Sequence, residues 1–199
     1  MTRSHQPPSK ASPAPQFAID AKRLGGVFAN KIHLVADEHG VGVRTYGDRH
    51  ADAGDLTLRL NGGMVVKGTT TASGDVTLSA TGDIEHTGTT KGGRSVSITS
   101  GAVLKNSGTV APQQALDIHA GELINDQGTL SSAGSAAIAA GSVSNREGRI
   151  VATGDVALTT PGSITNTNGT IGSARDLSIK ANTLSGGQYR ADTSDQPIR

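Results

Sequence analysis

One phrase recurs every twenty residues between Gly54 and Ala174, and that spacing limits the possible folds more than any other property of the chain. Gly54-Asp55-Leu56-Thr57-Leu58 returns as Gly74-Asp75-Val76-Thr77-Leu78 and then as Arg94-Ser95-Val96-Ser97-Ile98. Gln114-Ala115-Leu116-Asp117-Ile118, Gly134-Ser135-Ala136-Ala137-Ile138 and Gly154-Asp155-Val156-Ala157-Leu158 keep the same step. A further copy, Arg175-Asp176-Leu177-Ser178-Ile179, arrives one residue late. A fixed period of this length is the mark of a stacked-repeat architecture.

Within each copy the apolar residues first stand two apart, as in Leu56/Leu58 and Val76/Leu78, which is the pattern of a strand with one buried face. A second apolar point follows at Ile84, Val103-Leu104, Leu123-Ile124, Val143, Ile164 and Leu184. After a recurrent Gly (Gly68, Gly88, Gly108, Gly128, Gly148, Gly169) comes a third, at Thr70, Thr90, Val110, Leu130, Ile150 and Ile171. Each copy therefore reads as three short strands joined by turns. No stretch keeps a helical period, so repeats that need a helix in each unit are poor fits. The fold class expected is all-β: a single-chain parallel β-helix in which each coil buries its apolar face against the next. At about 4.8 Å per coil, seven coils make a rod section about 35 Å long.

Asn106, Asn125, Asn145 and Asn166 precede the recurrent Gly by two or three residues. Two roles are expected of them: a left-handed backbone at a tight corner, and side chains that bond to one another along the axis.

Composition fits a narrow core. Hydrophobic residues make up 34% of the chain, with two Phe, two Tyr and no Trp, enough for a thin column and little else. The net charge of +1 argues against disorder, and it leaves no electrostatic case for binding nucleic acid or an anionic membrane. No apolar run reaches about 18 residues, so no transmembrane helix is expected, and no apolar h-region marks a signal peptide. With no Cys, the redox compartment is left open.

Four regions follow. Residues 1–16, with Pro7, Pro8, Pro13 and Pro15, read as a disordered arm. Residues 17–53 share the strand grammar without the regular twenty, with strands expected at Phe17–Ala21, Lys31–Val35 and Val41–Arg44. Residues 54–187 are the regular repeats, and residues 188–199 read as an irregular tail.

The run Leu24-Gly-Gly-Val-Phe-Ala-Asn-Lys-Ile-His-Leu-Val-Ala-Asp-Glu-His-Gly-Val-Gly-Val-Arg44 resembles the last coils of the secretion domain in two-partner-secretion exoproteins. That family includes filamentous haemagglutinins and contact-dependent growth inhibition effectors. The repeats, with turns such as Asn145-Arg146-Glu147-Gly148-Arg149-Ile150, resemble the haemagglutinin repeats behind that domain. The resemblance implies a right-handed β-helical filament, exported by an outer-membrane transporter and displayed at the bacterial surface. It implies a structural stalk of an adhesin or inhibition filament, not an enzyme. The family's signal peptide and Asn-Pro-Asn capping motif are not in this chain, which is therefore read as a fragment of a longer parent. The receptor is not indicated by any residue.

Asp55, Asp75, Asp155 and Asp176 recur at one position, as in a β-helical carbohydrate-active enzyme, but Ser95, Ala115 and Ser135 break the row. A turn capped by the Asp side chain accounts for them without catalysis. His5, His33, His39, His50, His86 and His119 match no zinc spacing, even with Asp37 and Glu38 beside His33 and His39, and are expected to face solvent. Thr69, Thr89, Thr109, Thr129 and Thr170 form a column that a regular surface or carbohydrate could recognise. Arg149 interrupts it, and Thr stacks well on itself in any ladder. No catalytic, cofactor or metal residue is assigned.

Overall fold

The computed structural model describes residues 17–20, 26–39 and 42–191 of the chain. The expected arm at 1–16 and the last residues, 192–199, lie outside them. Among the described residues every regular element is a strand, and every pairing is parallel.

Two strands open the rod, β1 (Phe17–Asp20) and β2 (Val27–Ala29). The first full coil is β3 (Ile32–Ala36), β4 (Gly42–Thr45) and β5 (Arg49–Ala51). The next two are β6 (Leu56–Leu60), β7 (Met64–Val66), β8 (Thr69–Ala72), and β9 (Val76–Ala80), β10 (Ile84–His86), β11 (Thr89–Gly92). In the fourth and fifth, the first two strands run together without a break: β12 (Val96–Asn106) with β13 (Thr109–Val110), and β14 (Ala115–Ile124) with β15 (Thr129–Ser132). The sixth coil is β16 (Ser135–Ala140), β17 (Val143–Ser144) and β18 (Arg149–Ala152). The seventh is β19 (Val156–Thr159), β20 (Ser163–Thr165) and β21 (Thr170–Ser173). The last is β22 (Leu177–Lys180), β23 (Thr183–Ser185) and β24 (Gln188–Ala191). The molecule is a parallel β-helix of about eight coils with about 20 residues in each, as the period predicts.

Register shows why the repeat has the length it has. Leu34, Leu58, Leu78, Ile98, Ile118, Ile138, Leu158 and Ile179 are successive partners down one wall. From Leu58 to Leu158 none of them is more than 2% exposed, so the apolar residues of the recurring phrase do line a dry shaft. Met64, Ile84, Leu104, Leu123, Val143 and Ile164 form the second wall, and Thr70, Thr90, Val110, Leu130, Ile150 and Ile171 the third. All of these are buried. A twenty-residue step returns every side chain to the same wall and face. A slip of one residue inside a strand would turn the whole set outward.

Length changes are accordingly confined to corners. Ile138 pairs with Leu158 at the usual step, but Val143 pairs with Ile164. The extra residue behind the late copy therefore sits in the turn around Pro161. β14 has one residue fewer than β12 where the first wall bends into the second, Gly121 alone standing opposite Gly101 and Ala102, and the step is regained before Thr109 meets Thr129.

Two expectations need correction. Gln188–Ala191, expected to begin an irregular tail, form β24 and pair with β21, because Tyr189 takes the inward place beside Ile171. The left-handed corner residues are not the recurrent Asn. Among the non-Gly residues described they are Gln127, Glu147 and Asn168, with φ of 61°, 54° and 55°, each immediately before the recurrent Gly; Gly68, Gly186 and Gly187 share that conformation. At Gly148 the requirement is space rather than a positive φ: a Cβ would overlap the Asn125 carbonyl oxygen of the coil beneath.

Ile118 has shaft neighbours above and below and is fully buried. Ile118→Ala is expected to lower stability by about 3 kcal/mol in denaturant unfolding, while Ala137→Ser on the exposed face of the next coil stays within about 0.5 kcal/mol.

Candidate functional site

The most heavily built feature of this molecule is internal. At the corner between the second and third walls, Asn106, Asn125, Asn145 and Asn166 stack with no more than 1% exposure. Asn106 Nδ2 donates to Asn125 Oδ1 at 2.6 Å, Asn125 to Asn145 at 2.7 Å and Asn145 to Asn166 at 2.7 Å. Asn166 Nδ2 then donates to the Gln188 carbonyl at 3.0 Å. Each amide also serves its own corner: Asn125 and Asn145 donate to the carbonyls of Gly128 and Gly148 at 3.2 Å. The expected axial bonding of these Asn is thus present, and buried amides left unpaired would be costly.

Toward the N-terminal end the ladder changes chemistry. His86 stands where the next coil has Asn106, and its Nδ1 lies 2.7 Å from Asn106 Oδ1. That oxygen must accept, because Asn106 uses its amide nitrogen on Asn125, so the proton sits on Nδ1. Nε2 then accepts from the Thr90 hydroxyl at 2.8 Å. Burial pushes His86 below the ordinary imidazole range, the Asn106 bond opposes this, and the charge of Arg49 adds to it. Arg49 is itself 2% exposed. Its guanidinium donates to Thr70 Oγ1 at 2.6 and 3.0 Å and to the carbonyls of Gly47 and Lys67 at 2.9 and 2.8 Å. Burial brings it down to about 10, with Asp48 acting against the shift.

His86 was expected to face solvent with the other histidines and does not; it is fully buried. The signal was available, since His86-Thr87-Gly88 aligns with Asn106-Ser107-Gly108. Arg49 lies outside the regular period and had no such cue. The remaining described histidines are dispersed: His33, His39 and His119 are exposed, and half-buried His50 stacks on Phe28 at 5.0 Å and bonds Thr71. Among the described residues no group of three or more His, Asp or Glu is placed to hold a metal ion.

The Asp row caps coils. Asp55 Oδ1 accepts the Asp75 N–H at 2.9 Å, and Asp75 Oδ1 accepts the Ser95 N–H at 3.0 Å. Ser135 and Asp155 repeat this on Asp155 and Asp176. The Asp75 N–H holds the Asp55 carboxyl below the ordinary range, with Arg94 and Lys31 assisting. Arg94 reaches both Asp55 and Asp75 at 2.9 Å. The cap therefore acts on the following coil, not on the turn that carries it. Asp48, Asp83 and Asp126 do the same for Thr69, Val103 and Arg146.

The Thr column is real: Thr69, Thr89, Thr109, Thr129, Arg149 and Thr170 are successive partners on the outside of the third wall. Beside it lies an open depression of about 380 Å³ lined by Pro112, Gln113, Ser131, Arg149, Val151 and Thr153 among others. Arg149 is the charged residue of that lining, so no acid–base pair converges there.

Fold and ladder together define a β-solenoid assembled from haemagglutinin-type repeats. The model of the haemagglutinin repeat family matches residues 19–88, 53–160 and 139–196, and the chain belongs to that family. It is 49% identical over 72 residues to the tRNA nuclease CdiA-2 of Burkholderia pseudomallei, and 39% identical over 59 residues to the toxin CdiA of Yersinia pestis. It is also 46% identical over 56 residues to the 16S rRNA endonuclease CdiA of Enterobacter cloacae. These matches cover 36%, 30% and 28% of the chain but only 2% of each relative. No solved structure matches.

Removing one rung tests the ladder. Asn145→Ala leaves the Asn125 amide, the Asn166 carbonyl and the Gly148 and Thr170 carbonyls short of a partner. A loss of roughly 3 kcal/mol is expected in denaturant unfolding, against about 0.5 kcal/mol or less for exposed Ser107→Ala.

Proposed function

We propose that this chain is a stalk segment of a secreted, cell-surface bacterial adhesin or contact-dependent inhibition filament, and that it carries no catalytic activity itself. The observation that most supports the reading is the continuity of the interior. Shaft and ladder run through successive coils, so the recurrent chemistry of the repeat goes into stacking one coil on the next, while the outward rows vary from coil to coil, as Ser97, Asp117 and Ala137 do in one and Thr129 and Arg149 do in another. Such a rod transmits position: it holds whatever lies beyond it at a fixed distance from the cell. Repeats that contact only their neighbours are suited to this, because length is set by their number.

In this reading, residues 17–53 are the closing coils of a secretion domain, and the longer parent is exported by an outer-membrane two-partner-secretion transporter. The relatives' names speak of nucleases and toxins. Since the matched stretches make up 2% of those proteins, we place such activity outside the repeats. The parent's receptor, on a host or neighbouring cell, is a matter for its other segments.

The stalk reading is tested by exchange. Substituted for an equal number of coils in a contact-dependent inhibition protein, this segment is expected to support inhibition of target cells unchanged. It should still do so after Thr109→Lys and Thr129→Lys. Loss of inhibition by the double variant while surface display persists would contradict a purely mechanical role and favour recognition through the Thr face.

A further inference from the structure

Both titratable side chains that are buried among the described residues lie in the first three coils. They are Arg49 on β5 and His86 on β10, and no buried carboxylate accompanies them. The ladder from Asn106 to Asn166 has no ionisable member. The rod thus has two sections with the same backbone and different interiors: amide rungs from the fourth coil onward, and a polar plug before it.

The plug is continuous. Arg49 and Thr70 are register partners and are hydrogen-bonded, Thr70 and Thr90 are register partners, and Thr90 bonds His86. The other charged groups on the strands packed around His86 point outward. Glu85 on β10 is exposed and pairs with Lys67 at 3.9 Å; Lys91 on β11 and Lys105 on β12 are exposed; Arg44 on β4 and Asp48 beside Arg49 lie toward the surface. β7 and β8 contribute no charged side chain. A proton added to His86 therefore meets Arg49 as its charged interior neighbour and has no interior carboxylate to compensate it. Protonated Nε2 also becomes a donor, so the Thr90 hydroxyl must give up its present bond and turn to accept.

We propose that the coils from β3 to β11 are an acid-sensitive section of the rod, opened locally by protonation of His86 while the amide-laddered coils from β14 onward stay closed. The sign follows from linkage. Buried His86 takes up a proton less readily than the free imidazole, whose ordinary value is 6.5, so the closed form binds fewer protons than the open one. The contribution is present above that value and is lost as pH falls below it. Each unit of difference changes the ratio of closed to open by about tenfold.

Hydrogen exchange on the full chain, followed by mass spectrometry at about pH 7.5 and about pH 5 and corrected for intrinsic rates, reads this directly. Amides of β5, β8, β10 and β11 are expected to lose protection at the lower pH, while those of β16 to β21 do not change. His86→Asn extends the amide ladder by one rung and is expected to abolish the difference while keeping the melting temperature at neutral pH. Should that variant melt early, NMR titration of the His86 ring in the unaltered chain decides instead: a shifted, late titration supports the proposal. An ordinary imidazole titration in the closed rod overturns it, as does acid-induced exchange that is uniform along the rod or unchanged in a well-folded His86→Asn variant.

Discussion

Parallel hydrogen bonding between one coil and the next is the constraint on which everything else in this rod depends. The short strands of one coil cannot bury a face by themselves, and a parallel pair cannot be closed by a short hairpin. Each strand is therefore held by the strand one period away, and the bonding continues through corners, as when Gly74 N–H meets the Gly54 carbonyl and Thr109 N–H the Gly88 carbonyl. Once the coils are locked at that spacing, identical positions must lie on top of one another. Whatever the sequence places at a position becomes a ladder.

The three kinds of ladder divide the work. Aliphatic rows such as Leu58 to Leu158 exclude water from the shaft and supply most of the burial. Asn106 to Asn166 satisfy the corner carbonyls that the shaft would otherwise leave dry. Surface carboxylates such as Asp75 cap the free N–H of the following coil. The last are exposed and screened, so their value lies in register more than in stability.

Fold and coil length were legible because the period in the sequence is the period of the backbone. Leu58, Leu78, Ile98 and their successors fall on one wall for the same reason that they fall twenty residues apart. Legibility failed where function within the repeat is shared between neighbouring positions. Spacing alone does not separate the Asn from the left-handed residues Gln127, Glu147 and Asn168, since either residue of so short a turn satisfies the same argument. The placement of His86 is legible from the Asn106 it stands over and not from its residue type alone. Arg49 was beyond reach, because the first coils pair at irregular steps and a long side chain can serve a corner from another wall. The Gln188–Ala191 strand was overlooked for a similar reason: the final coil is shortened at its corner, and the repeated phrase does not announce its third strand.

Excision of residues tests the account most directly. Removing residues 116–135, one whole period from Leu116 to the residue before its partner Ala136, joins two positions that already stack. The shortened chain is expected to keep its β-sheet circular dichroism and a single cooperative unfolding transition. Removing only residues 116–125 brings a strand of one wall into the place of another and is expected to destroy both. Equal tolerance of the two deletions, or collapse after the whole-period excision, would contradict a rod built by in-register stacking.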